Sequence, residues 1–240
     1  MATYKFVLRF FCGNMPINFF KTTLMYLFFP PVCPICKEIA DEYNELCETC
    51  AAEILCTDLN PNPPLPITEV MRLTKYRGGT RKLLRKLKFD NNTVVLKPIK
   101  KILEKFSTNI NVTNFLKNVD TAVFVPLHEE RLRRRGYNQT ELIFGDWLKS
   151  MNVTPKNILI RTKKTPHLFN LSPKERKQIL DGAFKVTEGA DVAGKNILIV
   201  DDIFTTGATS AECAKVLKKI GAAQIFVLAF ASDFGEQFNA

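Results

Sequence analysis

Four consecutive apolar residues, Ile197 to Val200, end in two adjacent carboxylates, Asp201 and Asp202, and a Thr/Gly stretch from Thr205 to Thr209 follows. Apolar periodicity resumes at helical spacing from about Ser210. The run predicts a buried strand, the polar stretch a turn, and residues 211–220 a helix ended by Gly221. The same alternation recurs along the chain. Strands are predicted at residues 67–76, 120–126, 158–161, 196–200 and 224–231, and helices at 80–89, 95–106 and 138–151. Ser172-Pro173-Lys174-Glu175 has the signature of a helix start: a Ser N-cap, a Pro at the first position and a Glu at the third. Strands alternating with helices imply an α/β fold, a parallel sheet flanked by helical crossovers.

A strand that feeds a polar loop at a helix N-terminus is an anion site, because free N–H groups and the positive end of the helix dipole face the ligand. Gly207 lets the backbone turn tightly and approach it, and Thr205, Thr206 and Thr209 add hydroxyl donors. Asp201 and Asp202 stand where they can grip the hydroxyls of a sugar attached to that phosphate. The loop is neither a Walker A loop nor a dinucleotide fingerprint, since it lacks Gly-Lys-Thr/Ser and Gly-x-Gly-x-x-Gly. An ordinary polar turn needs neither paired acids nor three threonines in five positions.

Charge sharpens the picture. The 240-residue chain carries a net +10, which favours an anionic partner or merely a solubilising surface. The excess is local: from Met71 to Phe89 there are eight Lys/Arg and no acid. Leu83, Leu84, Leu87 and Phe89 interleave with Lys82, Arg85, Lys86 and Lys88 at roughly helical spacing. Such a basic amphipathic helix tracks a phosphate backbone or is a solvated helix face. A second basic run, Arg131, Arg133, Arg134 and Arg135, follows the strand at 120–126 and is expected in a loop at the carboxyl end of the sheet, where ligands bind. Arginine forks there suit a pyrophosphate.

Four of the seven cysteines form Cys33-x2-Cys36 and Cys47-x2-Cys50, two tight turns that can aim their sulfurs at one tetrahedral zinc ion. Four thiolates leave no open coordination position, so the expected role is structural. Disulfides, or a redox use of the Cys-x-x-Cys pairs, are the weaker alternatives. Cys12, Cys56 and Cys213 are expected in the core or to be incidental. The organisation expected is a lead-in at 1–31 with its natural start at Met15, a zinc-knuckle or ribbon module at 32–58, a proline-rich linker at 59–66 and the main domain at 67–240. No apolar stretch reaches the roughly 20 residues of a membrane span, and a cytoplasmic protein is expected.

The ordered motifs resemble the ComF family of phosphoribosyltransferase-like proteins, linked to DNA uptake and transformation in bacteria. The matching parts are Phe29-Pro30-Pro31-Val32-Cys33 with Cys36, Cys47 and Cys50, then Tyr76 with Leu87-Lys88-Phe89. Next come Val125-Pro126-Leu127-His128 with Arg134-Arg135-Gly136-Tyr137-Asn138-Gln139, and last Val200-Asp201-Asp202-Ile203 with Thr205-Thr206-Gly207-Ala208-Thr209. The resemblance implies a type I phosphoribosyltransferase-like sheet with an N-terminal zinc module. It implies that Asp201 and Asp202 take the ribose and Thr205, Thr206, Gly207, Ala208 and Thr209 the 5′-phosphate of phosphoribosyl pyrophosphate. Arg131, Arg134 and Arg135 would take the pyrophosphate with Mg²⁺. The chain departs from the family where Pro166 to Phe169 replaces a usual Gln, and at Gln178-Ile179 in place of an Asn-Val pair, which bears on the acceptor side. Two functions follow: binding of phosphoribosyl pyrophosphate or a related sugar phosphate with Mg²⁺, with or without transfer of the phosphoribosyl group, or a non-catalytic factor binding single-stranded DNA or competence proteins. In the second, Lys82, Arg85, Lys86 and Lys88 would contact DNA and the sugar-phosphate pocket would be inherited or sensing. No general base for an acceptor is identifiable. His128 lies near the expected chemistry, and His167 on a loop reads as polar surface.

Overall fold

The computed structural model describes residues 25–43, 45–166 and 171–234. His167, Cys12, the expected start at Met15 and most of the lead-in lie outside them. The main sheet has five strands, β1 (Leu55–Leu59), β2 (Glu69–Lys75), β7 (Gln224–Ser232), β6 (Asn196–Phe204) and β3 (Thr121–Phe124), in that order across the sheet. β2, β7, β6 and β3 run parallel, and β1 closes one edge antiparallel to β2. A separate antiparallel pair joins β4 (Leu159–Arg161) to β5 (Phe184–Val186). The helices are α1 (Glu48–Ile54), α2 (Gly78–Phe89), α3 (Leu96–Phe106), α4 (Ile110–Lys117), α5 (Glu129–Arg135), α6 (Gln139–Ser150), α7 (Pro173–Leu180) and α8 (Ala208–Lys219).

The continuous apolar run of β6 follows from burial on both faces, as parallel strands require. Successive side chains alternate between two cores. Leu198 and Val200 meet Leu84, Leu87, Ile99, Phe144 and Leu148 on one side. Ile197 and Ile199 meet Val123, Cys213, Ala214 and Leu217 on the other. On α2 the leucines 83, 84 and 87 are buried while Arg81, Lys82 and Arg85 are exposed, so the amphipathic expectation holds in the fold.

Several elements differ from expectation. The arginine-rich segment after β3 is not an open loop but the helix α5, capped by the His128 side chain, whose Nδ1 accepts from the Glu130 N–H at 3.3 Å. Gly136, at φ 82, ends it. The acids at 129–130 and the arginines at 133–135 suit the two ends of a helix dipole, a local signal that the arginine count concealed. β6 continues through both aspartates to Phe204, and α8 begins at Ala208, so Ala208 and Thr209 belong to the helix's first turn. β1, β5 and α4 were not expected; each is short, and β1 and β5 are edge strands completed only by pairing with β2 and β4.

Candidate sugar-phosphate and metal sites

The register of the sheet builds the site. Phe124 of β3 lies beside Val200 of β6, and the Val125 N–H continues the ladder to the Val200 carbonyl at 3.0 Å. The chain leaving β3 toward α5 therefore emerges beside Asp201 and Asp202. Asn138 Nδ2 donates to the Val125 carbonyl at 3.1 Å and ties the start of α6 to the same strand end.

Both aspartates are buried, at 8% and 3% exposure. Burial, and then the charge of Asp202, push the Asp201 carboxyl up to about 8. The counter-charge comes from α2: Lys88 Nζ lies 2.8 Å from Asp202 Oδ2. The contact is close but not aligned as a hydrogen bond, so Asp202 Oδ2 has no hydrogen-bond partner among the described residues. This placement separates Lys88 from the grouping expected of it. Lys82, Arg85 and Lys86 stay on the outer side of α2, whereas Lys88 turns inward to the acids, because it follows Leu84 by one helical turn. Arg135 is close enough for Asp202 to favour its charge, and its Nη1 donates to Gln139 Oε1.

Past the acids, Thr205 and Thr206 are exposed and Gly207 is buried with φ 72. A Cβ on Gly207 would lie 2.6 Å from Phe204 Cζ and 2.7 Å from Pro64 Cγ, so the linker prolines press on the loop and only glycine fits. The free N–H groups of Ala208, Thr209 and Ser210 face outward from the start of the 12-residue helix α8. Arg176, from α7, reaches the loop and donates from Nη1 to Thr205 Oγ1 at 2.8 Å. The acids, the Thr205–Thr209 stretch and Arg135 thus form one site.

Arg131 and Arg134 sit elsewhere on α5. They line a cavity of about 190 Å³ with His128, Arg161, Lys164 and Thr165. Arg161, at the end of β4, and Arg176 were not singled out as ligands by sequence, and Lys88 was expected to contact DNA rather than the acids. The signal was available for Lys88, at the C-terminal end of an amphipathic helix, but not for Arg161, which the His128–Arg161 bridge brings in from a separate sheet.

The sulfurs of Cys33, Cys36, Cys47 and Cys50 all lie within 4.8 Å of one another, an arrangement able to hold a metal ion. Burial opposes ionisation of Cys33, but backbone N–H groups, of Cys36 first, outweigh it and hold the thiol at about 6. Burial and the neighbouring thiols push Cys50 up. Four such groups cannot all ionise together without a cation. The module docks on α2: Ile35 Cδ1 lies 2.3 Å from where a Cβ of Gly79 would be. Cys56 instead donates to Asp58 Oδ2 at 2.8 Å, and Cys213 is buried in the core.

No family model matches the chain. It is 29% identical over 204 residues to the DNA utilization protein YhgH of Escherichia coli, covering 82% of this chain and 88% of that one. It is 28% identical over 201 residues to competence protein F of Haemophilus influenzae, covering 82% of each. These relatives support the ComF-family assignment that the ordered motifs implied. A hypoxanthine phosphoribosyltransferase from Staphylococcus aureus resembles it at a TM-score of 0.37 with 13% identity, over 56% of this chain and 65% of that one, too distant to bear on activity. The mostly parallel α/β sheet and the four-cysteine cluster are the architecture that the ComF resemblance implied. Among the described residues no helix is long and apolar enough to cross a membrane.

Proposed function

We propose that this ComF-family chain binds phosphoribosyl pyrophosphate or a closely related sugar phosphate together with Mg²⁺, as a cytoplasmic protein serving DNA uptake. The observation that carries the reading is the buried acid pair at the end of β6, continuous with a glycine-entered helix N-terminus. Asp201 and Asp202 take the ribose hydroxyls, and Thr205, Thr206, Gly207, Ala208 and Thr209 take the 5′-phosphate. Arg135, close enough to Asp202 for that charge to act on it, is assigned to the diphosphate together with Arg131 and Arg134 of the same helix. The donor set suits Mg²⁺, which keeps several waters and is held through one or two carboxylates plus substrate phosphates. When bound it would neutralise the diphosphate. Lys88 must leave Asp202 or share it when ribose enters, and the same ammonium keeps the acid pair neutralised when the site is free.

Zinc at Cys33, Cys36, Cys47 and Cys50 is the metal these thiols fit best, since an all-thiolate tetrahedral set selects a closed structural site. The cysteine module (32–58), the proline joint (59–66) and the ligand-binding domain (67–240) are the functional divisions we assign, preceded by a lead-in (1–31). Calorimetry of phosphoribosyl pyrophosphate with Mg²⁺ tests the reading. Binding to the wild type that Asp201→Asn/Asp202→Asn abolishes supports it, and no binding to a folded wild type removes it.

A second reading has its own observation. Arg81, Lys82, Arg85 and Lys86 lie along the outer side of α2 with no acidic partner among the described residues. That row fits the phosphate backbone of single-stranded DNA. Reversing Lys82, Arg85 and Lys86 to Glu should weaken DNA binding and flatten its dependence on salt. An unchanged affinity and salt slope would leave the row as a solvated face.

A further inference from the structure

The cysteine module is acidic on a basic chain. Between Val32 and Asp58 stand seven acids and one lysine, whereas the whole chain carries a net +10. Three of those acids are paired with cations of the main domain: Glu42 lies 3.6 Å from Lys97, Glu45 3.9 Å from Lys101, and Asp58 2.6 Å from Arg72. The other four, Glu38, Asp41, Glu48 and Glu53, are exposed, and no cation lies within ion-pair distance of them among the described residues. All four line one cleft of about 630 Å³ between the module and the start of α2.

The rest of the cleft is largely apolar. Ile35, Ile39 and Ala40 line it from the module, and the bare backbone of Gly78 and Gly79 from α2. Ile39 is 72% exposed, and its β-bridge partner Val32 is 43% exposed beside it. A Cβ on Gly78 would meet nothing within 4 Å, so open space lies against that backbone. Apolar surface gathered at a cleft is what a binding partner covers. Lys82 is the single cation among the described residues that line it.

The cleft is distinct from the metal centre. Cys36, Cys47 and Cys50 border it, but their sulfurs and that of Cys33 lie within 4.8 Å of one another, a spacing for one ion, and the cleft is far larger. The four acids do not make a second metal centre, because the cysteines are the only group of three or more ligands among the described residues close enough to hold an ion. Charge excludes phosphates and nucleic acid, which four unpaired carboxylates repel. An occupant that is both positive and apolar fits. The volume takes a few residues of extended chain, with ammonium or guanidinium groups at the acids and apolar side chains on Ile35 and Ile39.

We infer that the cleft between the cysteine module and α2 docks a short basic, apolar peptide segment of a partner protein. The surface is independent of the sugar-phosphate reading. The remainder of this basic chain repels such a segment, which steers it to the module.

The probe is a fluorescein-labelled hexapeptide, Leu-Lys-Leu-Arg-Leu-Lys, followed by anisotropy as the zinc-loaded full chain is added. A peptide with glutamate in place of its cations is the control and should not bind. Asp41→Asn/Glu48→Gln/Glu53→Gln removes three exposed ion pairs and should weaken binding about 10-fold. Ile39→Ser removes the apolar contact and should weaken it by about 10-fold as well. Only exposed side chains change, so both variants keep the fold. No binding to wild type, equal binding of the glutamate peptide, or unchanged affinity in the triple variant overturns the inference. Loss in the triple variant with none in Ile39→Ser marks a diffuse acidic surface and overturns it too. Residues 1–24 carry Lys5, Arg9 and Lys21 and no acid, so their deletion identifies the occupant. Unchanged peptide affinity supports a partner protein, and a gain assigns the cleft to the chain's own segment and overturns the partner.

Discussion

Replacing Asp201 by Asn should make the protein's stability less sensitive to rising pH while removing its sugar ligand. Burial and the charge of Asp202 raise the Asp201 carboxyl to about 8, against about 3.9 in an unfolded chain. Between those values the folded protein holds a proton that the unfolded chain has released. Raising the pH therefore favours unfolding, by up to about 1.4 kcal/mol per pH unit, and the loss levels off once the pH passes the folded value. From pH 6 to pH 8 the accumulated loss is about 2 kcal/mol. Asn carries no such proton. Whatever fixed cost its amide incurs in the buried site cancels when the same variant is compared at two pH values. Urea unfolding of wild type and variant at pH 6 and pH 8 is the assay, and wild type should lose about 2 kcal/mol more than the variant over that interval. Parallel profiles would refute the reasoning, because they would mean that Asp201 is ionised throughout or is solvated in a way its burial denies. Lys88→Met provides an internal check: without the ammonium, whose charge lowers the Asp201 carboxyl, that carboxyl rises further and the sensitive window moves to higher pH.

Other consequences are equally direct. Gly207→Ala forces a Cβ against Phe204 and Pro64 at a positive φ, so it should cost about 1–3 kcal/mol and abolish ribose 5-phosphate binding, measured by denaturation and calorimetry. Thiol modification should release stoichiometric zinc to a chromogenic chelator, and Cys50→Ser should lower both zinc content and melting temperature; an equally stable metal-free protein would remove the zinc reading. Gly79→Val should loosen the cysteine module by overpacking Ile35, costing about 1–3 kcal/mol, seen as faster zinc loss with the main unfolding transition little changed.

The sequence by itself determined the parts whose chemistry is local. Strand β6 was legible because a parallel strand buried on both faces is apolar without interruption, and its end was legible because two carboxylates cannot continue that run. The four cysteines declared a metal-sized cluster through their spacing alone, and α2 declared its buried side through its leucines. The arginine segment was read for its charge, and its helix was missed because the capping role of His128 competes with a more conspicuous arginine count. What only the tertiary structure decided was which charges meet. Lys88 belongs to the acids and not to the outer row of α2, since the packing of Leu84 and Leu87 against β6 points the next turn of the helix inward. Arg161 faces Arg131 and Arg134 across about 30 positions of chain because a single backbone bridge joins β4 to the start of α5. Proximity of that kind depends on how sheets and helices stack, and no local pattern of hydrophobic and polar residues carries it.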